Sequence, residues 1–206
     1  MPIQWISFDC YGTLIDWATG IRQALTMVTP SLTMKEIETF AQDYDRVEQE
    51  FESRAYQPYR AILQQVLAEV FVSHGKISPH PADILVRLLP TFQPFPEAAR
   101  VLIALQQQGY RLAILSNVDR DLIQKSLKSL PVPIDLVVTA EEVNAYKPAP
   151  KHWESLLNQT RVSPARILHV AAGLHYDIPT AKQLGFYSCW VNRRRTVADS
   201  ACILTL

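Results

Sequence analysis

Six side chains able to do chemistry occur at one kind of place in this sequence, just beyond short apolar runs. Asp9 and Thr13 follow the run 3–8, Ser116 with Asn117 follows 110–115, Lys147 lies past 134–138, and Asp177 comes soon after 167–170. Singly, each has an ordinary reading as a cap, a turn residue or a solvated charge. If the runs are parallel strands, their carboxyl ends share one crevice and the six converge there. Two carboxylates and an ammonium in one mouth suit nucleophilic displacement by an aspartate. The nucleophile must be ionised and aimed; a cation within ~4–6 Å lowers a carboxyl pKa by about 1–3 units, while burial raises it. Lys147 is expected to hold Asp9 charged, and Thr13 and Ser116 to orient the carboxylate and the substrate. Backbone N–H groups around Cys10, Tyr11 and Asn117 would receive an anion, with Gly12 allowing the turn to be tight. Asp177 would activate a water or position Lys147.

The elements that must position these groups are legible from periodicity. From 16 to 91 the pattern is helical with no convincing strand. Asp16 reads as an N-cap. Thr33 and Glu36 form a capping box for a helix to about residue 53, with Ile37, Phe40, Ala41, Tyr44, Val47 and Phe51 at helical spacing. Pro58 suits the first turn of a second helix ended by Gly75, and a shorter one is expected after Pro81, stopping by Pro90. Two prolines in 92–96 favour extended backbone and predict a hinge whose closure excludes water. Beyond it helices (96–108, 119–130, 150–160, 177–184) alternate with strands (110–115, 134–138, 167–170, 186–191). Such alternation specifies an α/β fold, a doubly wound parallel sheet, with an inserted all-helical domain. The expected division is 1–15 with 92–206 as the core domain and 16–91 as the helical domain.

Composition agrees with a well-packed chain: of 206 residues 48% are hydrophobic and 19% charged, and 20 Lys+Arg balance 20 Asp+Glu. Zero net charge argues against a dedicated nucleic-acid partner; the run Arg193, Arg194, Arg195 reads as a solvated edge. Cys10, Cys189 and Cys202 are too few and too scattered for a disulfide framework or a zinc pattern, which predicts a reducing, cytoplasmic setting. No apolar run reaches the roughly 18 residues that cross a bilayer, so no membrane is expected. Cys10 reads as packing, His74 with His80 as a solvated loop, His169 as a satisfied core side chain, and His175 as a residue touching the site. Tyr56 and Tyr59, read as exposed, leave a homodimer open.

In this order and on this architecture the set resembles the haloacid dehalogenase superfamily of aspartate-nucleophile hydrolases, over nearly the whole chain. Residues 8–16, Phe-Asp-Cys-Tyr-Gly-Thr-Leu-Ile-Asp, look like its first motif, Ser116-Asn117 like the second, Lys147-Pro148 like the third, and Asp177 like the last acid of the fourth. The resemblance implies a Rossmannoid core with a helical cap at 16–91. Phosphatases of the superfamily carry an acid two residues past the nucleophile and a further Asp opening the fourth motif; here those places hold Tyr11 and Ala172. A halide leaves without a proton, so the resemblance is to the type II (S)-2-haloacid dehalogenase branch, acting on a short anionic 2-halo acid with no cofactor and no metal. Tyr11 would form an apolar wall, and the substrate carboxylate would sit near Tyr11, Asn117 and Ser116. The branch's serine and asparagine of the fourth motif are replaced by Ala172 and Leu174, with His175 as a substitute for the asparagine. Its cap arginine aligns with Asp45, leaving Arg46 one residue and about 100° of helix away as the substrate-binding candidate, with Arg22, Arg54 and Arg60 behind it. Two alternatives stay open: a phosphatase in which Asp9 and Asp177 hold Mg²⁺, and a weakly active anion-binding relative.

Overall fold

The alternation read beyond residue 92 is realised as a five-stranded sheet, β1 (Trp5–Phe8), β2 (Arg111–Ser116), β3 (Leu136–Thr139), β4 (Ile167–Ala171) and β5 (Tyr187–Trp190). Every pairing is parallel and the order is β3-β2-β1-β4-β5. The helices are α1 (Trp17–Val28), α2 (Met34–Glu52), α3 (Tyr59–Ser73), α4 (Ile84–Leu88), α5 (Pro96–Gln107), α6 (Arg120–Ser126), α7 (Ala140–Val143), α8 (Lys151–Thr160) and α9 (Ile178–Gln183). The computed structural model describes residues 2–77 and 83–193. The expectations for His80, Pro81, Arg194, Arg195 and Cys202 lie outside these. Among the described residues Cys10 and Cys189 are free thiols, and no helix is long and apolar enough to cross a membrane.

The chain divides into two compact units: Met1–Ile15 with Pro94–Asn117 and Ser129–Leu206, and Asp16–Gln93 with Val118–Lys128. In the first, β1 is central, and the strand order reverses across it, so the loops after β1, β2 and β4 part and open a crevice at their carboxyl ends. Apart from Ser7 and the end residues Arg111 and Ser116, strands β1 and β2 are apolar, as in a sheet covered on both faces by helices. Trp153 and Leu156 of α8 pack with Ala113 and Leu115 of β2, Val138 of β3 and Ile167 of β4, all fully buried. The extended segment before α5 bridges back to the exit of the first loop, Ile15 to Pro94, and Phe95 N–H donates to Leu14 O at 2.9 Å.

In the helical unit the caps fall where the sequence puts them. Asp16 accepts from Thr19 N–H, and Thr33 with Glu36 closes both halves of a capping box. Ile37, Phe40, Ala41, Tyr44, Val47 and Phe51 are all buried, and α3 contributes Ile62, Leu63, Val66, Leu67, Val70 and Phe71 to the core. Phe40 meets Phe71 edge-on at 5.0 Å. Gly20 is required by packing, since a Cβ there would stand 2.3 Å from the Phe92 ring. Two readings are corrected. Tyr59 is buried and donates its hydroxyl to Glu48 at 2.6 Å, and Tyr56 is half-buried, so neither is an exposed aromatic. His74 is no solvated loop residue; it stacks on Phe40 and bonds Asp43 at 2.8 Å.

The expected division leaves 118–128 in the core domain, whereas the contacts group this segment with the helical unit. Asp119 supplies the reason. Its buried carboxylate receives the N–H groups of Tyr59 (2.8 Å) and Arg60 (3.0 Å) and the Arg60 Nε at 2.9 Å, capping α3, whose own N-cap Pro58 makes no side-chain cap bond. Replacing Asp119 by Ala orphans two helix N–H groups and is expected to cost about 2 kcal/mol. Urea denaturation of the intact chain reads it; a change below ~0.5 kcal/mol would contradict the cap.

Candidate active site

The first strand delivers Asp9 by one step beyond its end, where Asp9 N–H donates to Val170 O at 3.1 Å and prolongs the β1–β4 ladder. The chain then folds tightly on itself. Cys10 O accepts from Leu14 (2.8 Å) and Ile15 (3.0 Å), and Gly12 sits at φ +85°, a conformation that favours glycine. This turn returns Thr13 over the carboxylate, its hydroxyl 2.6 Å from Asp9 Oδ2. Because Thr13 Oγ1 also accepts from Ala172 N–H at 2.9 Å, its proton points at Asp9, which therefore serves as an acceptor. The turn is anchored from the C-terminal side. Arg193 donates to Thr13 O and to Glu97, each at 2.6 Å, and lies over the Phe95 ring, so this member of the basic run is no solvated edge. Trp190 Nε1 holds Ala172 O at 3.2 Å.

Lys147 enters from the loop after α7, its backbone clasped by Asn117, whose Oδ1 accepts from Lys147 N–H at 2.7 Å and whose Nδ2 donates to Lys147 O at 3.4 Å. The Asn117 side chain thus fastens the lysine loop. Lys147 is 3% exposed, and its ammonium spends all three protons: on Asp9 Oδ1 (2.8 Å), Asp177 Oδ1 (2.7 Å) and Leu115 O (3.0 Å). Asp177, 2% exposed, begins α9 and donates its N–H to Gly173 O. Gly173 has to be small here, since a Cβ would stand 2.5 Å from Asp177 Oδ2.

Two carboxylates on one buried ammonium make a cluster with one negative charge in excess. Burial pushes Asp9 above its ordinary 3.8, against the pull of Lys147, and the charge of Asp177 adds to the rise. Burial acts on Asp177 likewise, but Lys147 and His169 outweigh it and hold this carboxyl below its ordinary value. For Lys147 burial opposes the charge, and the two carboxylates more than offset it, so the ammonium is held well past its usual range. Among the described residues no group of three His, Cys, Asp or Glu side chains is arranged to hold a metal ion.

Of the predicted site residues, Asp9, Thr13, Lys147 and Asp177 come together in one hydrogen-bonded cluster. Ser116 is buried at the end of β2, its carbonyl 3.2 Å from His152 Nε2. Cys10 is fully buried, and burial with the neighbouring Asp9 pushes its thiol far up, which fits packing and not chemistry. Tyr11 is half-buried beside the nucleophile. One expectation needs correction. His175 is exposed, and its imidazole makes no bond to the cluster. Arg46 belongs to the helical unit, 60% exposed and engaged by Glu50 (2.6 Å) and Asp43 (3.4 Å) of its own helix; Asp45 accepts from Trp17 Nε1 at 3.3 Å. Of the other arginines considered, Arg22 pairs with Glu38, Arg60 with Asp119, and Arg54 lies over Phe51.

One group beyond those expected completes the cluster. His169, fully buried in β4, is indeed satisfied, but its partner is Asp177, with Nε2 3.1 Å from Oδ1, while Nδ1 meets Ser7 Oγ at 2.9 Å. The signal was available: Ser7 and His169 are polar residues at the centres of apolar runs, and the β1–β4 register sets them opposite each other.

A family model described as haloacid dehalogenase-like hydrolase matches residues 3–185. Haloacetate dehalogenase H-2 of Moraxella sp. (strain B) is 35% identical over 103 residues, 49% of this chain and 46% of that protein, so the chain spans about half its length. (S)-2-haloacid dehalogenase 1 of Pseudomonas sp. (strain CBS-3) is 24% identical over 93% of this chain and 86% of its own. A phosphoglycolate phosphatase of Aquifex aeolicus (strain VF5) is 29% identical over 87% and 80%. Among solved structures, L-2-haloacid dehalogenase from Xanthobacter autotrophicus with chloropropionic acid covalently bound superposes with a TM-score of 0.80 at 23% identity, over 93% of this chain and 78% of that one, a likeness of fold.

Replacing Lys147 by Met strips two buried carboxylates of their cation and is expected to cost about 3–5 kcal/mol at pH 7. In the wild type the Asp177 contribution is present above its unfolded pKa and lost as pH falls through the depressed folded value. In the variant both acids are raised, so their contribution is present below the unfolded pKa and lost as pH rises. Urea denaturation at pH 5 and pH 7 should show the deficit shrinking at the lower pH; equal deficits would contradict the charge assignment.

Proposed function

The chain belongs to the haloacid dehalogenase-like hydrolases, and from that premise we propose that it is a metal-independent hydrolase converting short (S)-2-halo acids to (R)-2-hydroxy acids through an aspartyl ester. The observation that carries the reading is the bridge from Asp9 through Lys147 to Asp177, at 2.8 and 2.7 Å, with Tyr11 where an acid would serve a poor leaving group. Asp9 is held as an acceptor by Thr13 and Lys147, so it presents an anionic oxygen in a dry setting, where a nucleophile is strongest. It attacks the carbon bearing halogen from behind, the carbon–halogen bond breaks with its electrons leaving on halide, and configuration inverts. No proton has to be delivered.

The same donor set supports this over a Mg²⁺-held phosphoryl site. The ammonium already occupies both carboxylates, and the place of a further acid is Ala172, whose N–H and carbonyl are used by Thr13 and Trp190. The dehalogenase names among its relatives support the carbon–halogen reading, and the phosphatase names make the control. Ser116 and the backbone beside Tyr11 are the groups proposed to meet the substrate carboxylate.

Racemic 2-chloropropionate is the test substrate. Half of it should release chloride, yielding the (R)-hydroxy acid, and Asp9→Asn should lose at least about 1,000-fold in rate. The rate should fall on the acid side with a limb above the ordinary carboxyl value of 3.8, because Asp9 must be ionised and burial raises it. Phosphate release from p-nitrophenyl phosphate that needs Mg²⁺ and is abolished by EDTA, with no chloride release, would sink the reading.

A further inference from the structure

The buried polar chain does not stop at Asp177. It continues through His169 to Ser7 and so returns to β1, the strand that carries Asp9 two residues later. Strand register places Ser7 and His169 side by side, and the Trp153 ring meets the imidazole edge-on at 5.5 Å, so the ring is held at both nitrogens and along one side. Among the described residues the other buried histidine, His152, bonds only the Ser116 carbonyl through Nε2 and leaves Nδ1 without a partner, whereas His169 is engaged at both nitrogens. His169 instead spends Nε2 on the acid the nucleophile cluster needs.

The detail that matters is which oxygen it takes. Lys147 and His169 both converge on Asp177 Oδ1, at 2.7 and 3.1 Å, and neither touches Oδ2. Oδ2 lies toward Gly173, where the absence of a side chain leaves it room. A carboxylate with both donors on one oxygen keeps the lone pairs of the other for a new partner.

We infer that His169, backed by Ser7, is a positioning residue that pins Asp177 by Oδ1 and so reserves Oδ2 as the base for the water that opens the aspartyl ester. This rests on the proposed function. Water oxygen bonds to the ester carbonyl carbon while one of its protons passes to Asp177 Oδ2. The bond from that carbon to the product oxygen breaks, and the product oxygen takes this proton to become the hydroxyl. The second water proton leaves from the regenerated Asp9 carboxyl to solvent, restoring the ionised nucleophile beside Lys147. His169 donates throughout and gains or loses no proton. It therefore serves the second half of the cycle and not the first.

Two measurements test this on the full chain. Long-range ¹⁵N–¹H NMR of the histidine rings, without substrate, should find a proton on His169 Nε2 whose resonance moves in Asp177→Asn; a ring protonated on Nδ1 alone cannot donate to Asp177 and overturns the inference. Rapid quench with 2-chloropropionate is the second. His169→Leu should keep a first-turnover chloride burst within about threefold of wild type, lose about 10- to 100-fold in steady-state turnover, and accumulate ester-modified protein by intact mass. His169→Gln, which keeps an N–H donor, should recover most of the loss. A folded Leu variant with unchanged turnover, or with burst and turnover falling together and no recovery in Gln, overturns the inference. Should the Leu variant not fold, the NMR result decides. If wild type gives no chloride at all, the proposed function fails, and the ring tautomer still decides whether His169 holds Asp177.

Discussion

One ammonium between two buried carboxylates organises the sheet end of this protein. Lys147 has no proton to spare: two hold Asp9 and Asp177 and the third holds the Leu115 carbonyl. A buried charge that loses a partner costs far more than an exposed one, so none of the three ionised groups is tolerable alone. The elements around them are arranged to prevent that. Asn117 grips the backbone of Lys147, the glycine-bearing turn brings Thr13 back onto Asp9, and Arg193 ties that turn down from the far end of the core.

The asymmetry of the cluster is what gives it chemistry. All three groups feel the same burial, yet the two acids are driven in opposite directions: Asp9 upward, Asp177 downward because His169 joins Lys147 on it. Asp9 is the less stabilised anion of the pair and so the more basic carboxylate, and it is the group proposed to form the bond to substrate. Esterification would neutralise that charge, so the proposed first step relieves an electrostatic load that the fold has built in.

The helical unit shows how far local rules reach. Its caps and its apolar stripe follow from side-chain chemistry at short range, and they formed where the spacing put them. Its arginines follow no such rule. Arg22, Arg46 and Arg60 are each claimed by acids of their own unit, and Asp45 stands where the resemblance places an arginine. A charged side chain takes whichever counter-ion the packed surface offers, which spacing along one helix does not specify. The same holds for Asp119, capping a helix 60 residues earlier in the chain.

What the sequence by itself determined is the parallel α/β sheet, the helical insertion, and the meeting of Asp9, Thr13, Lys147 and Asp177. These follow from periodicity, from turn chemistry, and from the rule that loops at the carboxyl ends of parallel strands converge. Tertiary structure alone decided that Asn117 serves the lysine loop, that His169 and not the nearby His175 reaches Asp177, that Arg193 is structural, and that Arg46 faces solvent. Each of these depends on which way a side chain turns and on what stands opposite it in strand register or across a turn. A strand residue's neighbour across the sheet is more than a hundred and fifty positions away for Ser7 and His169, and only the folded register brings the two together.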